Sequence, residues 1–178
     1  MKRIFSLCFM LVLLIGFSGC GRYQYHSRTG DLVLANVPAQ SITSSKPVAL
    51  KNVSSGKSGV EEILCQFSSY DVMGSSYDYT ASAIHAVKDG VQKKGIAVAD
   101  MAAKRLELAV IKTTCEKGWN FSAGLWLRVT TGGGLTREYQ GSDSFMTGYQ
   151  MTAGFENAML QCVEKMLNDP EIVSYLNQ

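Results

Sequence analysis

Apolar and polar positions change their period several times along this chain. Ile4 to Ile15 is an almost unbroken apolar run behind Lys2 and Arg3. Two short β-prone runs follow, Leu32 to Val37 and Val48 to Val53, the second just after Pro47. Val60 to Phe67 alternates as a strand does, with Ile63, Cys65 and Phe67 on one face and Glu62, Leu64 and Gln66 on the other. Between Ser75 and Thr80 lie candidate N-caps for a helix running to about Lys94, in which Ala81, Ile84, Val87 and Val91 recur at helical spacing. Lys93, Lys94 and Gly95 supply the stop, while Gly90 weakens the helix by about 1 kcal/mol against Ala. Gly95 to Val98 re-enters as extended chain.

Two long alternating runs come next. In the first, Leu106, Leu108 and Val110 face one way up to Cys115; in the second, Trp119 to Thr131, Phe121, Ala123, Leu125, Leu127 and Val129 do the same. Glu116 to Gly118 predicts the turn between them, and Gly132 to Gly134 a turn into a further strand, Leu135 to Gln140. A last helix is predicted from about Gly148 to Leu167 with Phe155, Ala158, Met159, Cys162, Val163, Met166 and Leu167 on its apolar face. Pro170 then opens a terminal segment. The order of elements predicts an α+β domain, an antiparallel sheet with helices packed on one face, in a two-layer sandwich.

The first run has a different meaning. Lys2 and Arg3, the apolar stretch and then Gly16-Phe17-Ser18-Gly19-Cys20 follow the order of an export signal, and the stretch is too short to span a bilayer comfortably. Phe17 to Cys20 resembles the bacterial lipoprotein lipobox, with Phe17 where Leu is usual. The resemblance implies cleavage before Cys20 and lipidation of that residue. The expected division is a signal peptide over 1–19, a lipidated Cys20 with a flexible tether over 20–45, and one periplasmic domain over 46–178. Gly21, where inner-membrane retention usually takes Asp, points to the outer membrane, facing the periplasm.

Composition narrows the classes further. The 178 residues are 46% apolar and 18% charged with three prolines, which excludes a disordered or collagen-like chain. The formal charge is +2, and both positive charges of the signal leave with it, so the mature chain is neutral. Neutrality gives no basic field for nucleic acid.

Candidate chemistry is sparse. No close-spaced Cys or His pair suits a metal, no glycine-rich phosphate loop or nucleophile elbow occurs, and no cofactor motif is seen. His85 reads as a solvated helix residue. Cys65, Cys115 and Cys162 remain after Cys8 and Cys20 are set aside; three allow at most one bridge, and buried thiols are the alternative. No catalytic residue is assigned. The candidate binding residues are Trp126 and Arg128, on the wet face of their strand, with Tyr77 and Tyr79. Either that face meets a partner or the N-terminal segment covers it.

With the lipobox at Cys20, the helix ending Lys93-Lys94-Gly95-Ile96, the long strand pair and the ending Met166-Leu167-Asn168-Asp169-Pro170-Glu171, the chain resembles the YajG-type outer-membrane lipoproteins over about residues 45–178. The resemblance implies a non-enzymatic lipoprotein, an accessory or scaffold in cell-envelope assembly or export, anchored through Cys20 and meeting an envelope protein partner. The alternatives are a carrier of lipid or glycan and a cysteine-dependent envelope enzyme.

Overall fold

The computed structural model describes residues 22–35, 42–44 and 46–178; Cys20 and the signal segment lie outside the described residues. Its strands are β1 (Tyr23–His26), β2 (Val48–Asn52), β3 (Glu62–Phe67), β4 (Tyr70–Gly74), β5 (Lys104–Lys117), β6 (Phe121–Thr131) and β7 (Thr136–Phe145). Its helices are α1 (Ser76–Lys93), α2 (Met151–Leu167) and α3 (Pro170–Asn177). The strands make a four-stranded sheet in the order β2-β5-β6-β7 and a three-stranded sheet in the order β1-β4-β3, so the fold is α+β with helices packed on sheet. Both sheets are mixed, because β2 pairs with β5 and β1 with β4 in parallel.

The large sheet turns Leu106, Leu108, Leu125, Leu127 and Val129 toward α1 and α2, all fully buried. Every apolar residue expected on the face of α2 is buried there too. Glycines set the spacing. A Cβ on Gly141 of β7 would lie 1.9 Å from the Ala158 carbonyl oxygen of α2, and one on Gly154 would meet the Phe145 ring at 2.2 Å. α1 uses the same device: its buried face is Ala83, Ala86, Val87, Gly90 and Val91, and a Cβ on Gly90 would lie 2.7 Å from Leu167. The stripe expected through Ala81 and Ile84 is therefore rotated, leaving Ala81 exposed and Ile84 only half-buried, because close helix packing selects the small residues. The cap of α1 falls within the expected stretch, and α3 has one at Asp169. Ser75 accepts from the Asp78 amide at 3.1 Å, and Asp169 accepts from the Glu171 amide at 2.9 Å with Pro170 in the first turn.

The helices do not cover the whole sheet. β5 has 14 residues, about 46 Å of strand, whereas the 17 residues of α2 reach about 25 Å. The small sheet covers the remainder. β5 carries a bulge between Val110 and Lys112, after which Thr113 and Cys115 turn inward, and there β5 meets β3. The Thr113 hydroxyl donates to the Leu64 carbonyl at 2.5 Å, and Cys65 and Cys115 form a disulfide. A matching irregularity between Ile63 and Cys65 makes Leu64 the buried residue of β3 and leaves Ile63 exposed, reversing the expected face.

The boundary expected at residue 46 also moves. The stretch read as tether contains β1, whose Tyr23 and Ser27 amides donate to Ser69 and Met73 carbonyls at 2.8 and 2.7 Å. Leu32 and Leu34 are buried against the helices, and Leu34 is fixed by the Lys93 ammonium on its carbonyl at 3.1 Å. Chain from Arg22 to Ala35 belongs to the domain. β7 runs to Phe145 rather than Gln140, since its polar second half pairs with β6.

Gly141→Ala should cost about 3 kcal/mol, because its Cβ meets backbone rather than a movable side chain, while Gly30→Ala, with open space around it, should change little. Urea unfolding of both variants checks this; equal midpoints would contradict the packing described.

Candidate functional site

The candidate surface is the face of the large sheet turned away from the helices. Alternation along β6 brings Trp126 and Arg128 out on that face, and the β5 bulge aligns Lys112 with Trp126. The Lys112 ammonium sits 4.5 Å from the Trp126 ring centroid. Gly124 makes room for Thr114 of β5, since a Cβ there would lie 2.6 Å from the Thr114 hydroxyl oxygen. Arg128 donates from Nε and a terminal nitrogen to one Glu138 oxygen at 3.0 and 2.8 Å. The described N-terminal residues pack on α1 and α2, on the other side of the sheet, so they do not cover Trp126.

Next to this face, a groove of about 600 Å³ runs where β2 has ended and β3 approaches β5. Val53, Ile63 and Ile111 line it beside the polar Ser54, Ser55 and Glu62, and Lys112 and Arg128 join it to the Trp126 face. Ile63 and Val53 are exposed there. The bulge that displaces Ile111 is what opens the groove, and periodicity along β5 carries no sign of it.

The two expected tyrosines part company. Tyr79 is a core residue, 1% exposed, packed edge-on against Phe155 with 5.7 Å between centroids. Its hydroxyl lies 2.6 Å from the Ser27 hydroxyl, which lies 3.0 Å from that of Thr152, so one buried network joins the end of β1 to both long helices. Burial pushes the Tyr79 phenol well above its ordinary range. Tyr77 is half-buried, and its carbonyl accepts from the Asn52 side-chain amide at 2.9 Å; its neighbour Ser76 lines the groove that Lys112 and Arg128 also line.

The sulfur and imidazole groups are structural in geometry. Cys162 is fully buried under α2, its thiol 3.5 and 3.2 Å from the Leu125 and Tyr139 carbonyls, and burial pushes it up to about 11. His85 holds the N-terminal segment, its Nδ1–H donating to the Leu32 carbonyl at 2.9 Å. Among the described residues no group of three or more His, Cys, Asp or Glu is placed to hold a metal ion.

Sequence reasoning missed an aromatic cleft of about 210 Å³ at one end of the molecule, between Tyr25, Phe67, Tyr70, Phe121 and Tyr149. Phe67 stacks on Tyr70 at 5.5 Å and meets Phe121 edge-on at 5.5 Å; Phe121 stacks on Phe145 at 6.2 Å. These rings come from four strands and a 3₁₀ turn. Only the pairing of β1 with β4 and the junction of β3 with β5 bring them together.

The molecule is thus of the class of α+β domains in which helices cover a mixed sheet, with an open sheet face beside a groove. No family model matches the chain, and no curated protein matches it. Among solved structures, protein XCC0632 from Xanthomonas campestris, of the family DUF330, is similar to it with a TM-score of 0.56 at 16% identity, covering 85% of this chain and 95% of that one. At such identity the likeness is one of fold.

Because the Cys162 thiol is favoured as neutral in the folded state, its contribution to stability is full below about pH 9 and is lost as pH rises toward about 11. Cys162→Ala should remove that part of the alkaline decline in denaturation profiles. An unchanged decline would contradict it. Arg128→Ala should change stability by less than about 1 kcal/mol, since the pair with Glu138 is half exposed to solvent; calorimetry showing a larger loss would give Arg128 a structural role instead.

Proposed function

We propose that this protein is a lipid-anchored envelope protein, a non-enzymatic accessory or scaffold whose domain presents the Trp126 face and the adjoining groove to a protein partner. The observation that carries the reading is the Cys65–Cys115 disulfide in a chain that opens with an export signal ending at Cys20. Disulfides persist in oxidising compartments such as the periplasm, so bond and signal support the same destination. Joining chain 50 residues apart, the bond also stabilises the domain by about 4 kcal/mol in the chain-entropy description. The resemblance to YajG-type lipoproteins extends the reading to the outer membrane, and the likeness in fold to a DUF330 protein is compatible with it.

Cysteine-based catalysis gains no support from the geometry. Cys65 and Cys115 are bonded to each other, and Cys162 is a buried thiol, pushed up to about 11, whose hydrogen bonds go to the Leu125 and Tyr139 carbonyls. A partner surface has better support: an aromatic ring beside a cation adjoins a groove of about 600 Å³ lined by both apolar and polar side chains, and aromatic residues and Arg are enriched at interfaces.

Mass spectrometry of the mature chain should find acylated Cys20 at its N-terminus, and Cys20→Ala should move the protein out of the membrane fraction. Retention of the variant in that fraction would count against the anchor. A photo-crosslinker at Lys112, at native abundance, should yield one discrete adduct that a crosslinker on exposed Lys88 does not; identical patterns from the two sites would refute the assignment of the partner face.

A further inference from the structure

The end of the domain that carries the aromatic cleft also carries five exposed large apolar side chains. Tyr23 at the start of β1, Tyr70 at the start of β4, Trp119 at the tip of the β5–β6 hairpin, and Met146 and Tyr149 just beyond β7 are all exposed, Trp119 completely. They lie together. Tyr23 pairs with Tyr70 in the small sheet and their rings are 5.4 Å apart; Phe67 and Phe121 carry the row across to the large sheet; the Tyr25 hydroxyl donates to the Tyr149 carbonyl at 3.1 Å. Trp119 stands on the turn closed by the Gly118 amide and the Asn120 carbonyl, one pair beyond Lys117 and Phe121. Tyrosine and tryptophan, apolar in body and polar at the tip, are the residues that settle where a bilayer meets water, and Met146 adds an apolar side chain beside them.

The chain itself says which occupant can reach them. β1 begins at Tyr23, three residues after Cys20, so an acyl chain on Cys20 holds Tyr23 within about 11 Å of the lipid surface even with the link fully extended. A long leash would let the domain turn any face to the membrane. Three residues do not. We infer that the aromatic end of the domain docks on the lipid surface to which Cys20 is anchored, with Trp119, Tyr149, Met146 and Tyr23 in the interfacial layer. This rests on the reading of Cys20 as acylated. The long strands of the large sheet then rise away from the membrane, and the groove beside Lys112 opens toward the aqueous compartment. Acylation provides the affinity; the rim provides the orientation.

The test uses the full mature protein purified from membranes and reconstituted in vesicles of phosphatidylethanolamine and phosphatidylglycerol, with the mass of the Cys20 end measured on the same sample. The Trp119 signal is the difference in emission between the wild type and Trp119→Phe, a substitution at a fully exposed site. The expected result is an acylated Cys20, a blue-shifted Trp119 and about twofold quenching when brominated lipid is included, as for a ring at the membrane interface. An acylated protein whose Trp119 emission ignores brominated lipid overturns the docking while leaving the anchor in place. An unacylated Cys20 overturns both. Trp119 shielded from acrylamide in native membranes, yet untouched by brominated lipid in vesicles, assigns the rim to a protein partner and also overturns the docking.

Discussion

One mismatch of length shapes this molecule. The apolar face of the β5–β6 hairpin is far longer than the helices laid across it, because a strand rises about 3.3 Å per residue and a helix 1.5 Å. Left uncovered, the far end of that face would expose Ala123, Cys115 and Phe121 to water. The small sheet is the solution. It is built from the two hairpin strands β3 and β4 with the N-terminal strand β1 added in parallel, and it is fastened by the Cys65–Cys115 bond at the point where β5 bulges toward it. Bulge, disulfide and added strand are parts of one device for closing the core.

That device has consequences at both ends of the chain's functional logic. Recruiting β1 into the cover draws the N-terminus down to the same end as the aromatic row, and removes the slack that a tether over 20–45 would have provided. The β5 bulge that lets β3 approach also displaces Ile111, opens the groove and sets Lys112 over Trp126. Thus the surface proposed for a partner and the surface proposed for the membrane both arise from how the long sheet is completed. They are separated along the strands, so both can be engaged together.

Residues whose neighbours are close in sequence were legible from the pattern. The apolar face of α2, the inward row of β6, the cap at Ser75 and the helix start at Pro170 all follow from local periodicity and side-chain chemistry, and the structure has them so. What was not legible depends on distant partners. Leu64 is inside because β3 shifts register to meet β5. Gly90 is inside because Leu167 and Leu34 come within touching distance of it, a position that a hydropathy count scores as weakness. Tyr79 looked like a surface ring because its hydroxyl needs a partner, and that partner, Ser27, is 52 residues away. The second half of β7, Gly141-Ser142-Asp143-Ser144, is too polar to announce a strand, yet β6 pairs with all of it. Of the expected site, Trp126 and Arg128 stand on the open face as alternation requires; the groove beside them and the aromatic row needed the tertiary fold.

The central claim is that folded structure begins at Tyr23, three residues after Cys20, with β1 an integral strand. Hydrogen–deuterium exchange of the mature protein tests it most directly, through the Tyr23 and Ser27 amides bonded to Ser69 and Met73. The account predicts that these amides are protected to the same degree as those of β4 and lose protection together with them when the disulfide is reduced. Exchange of residues 22–27 at the rate of a free chain, with β4 still protected, would contradict it.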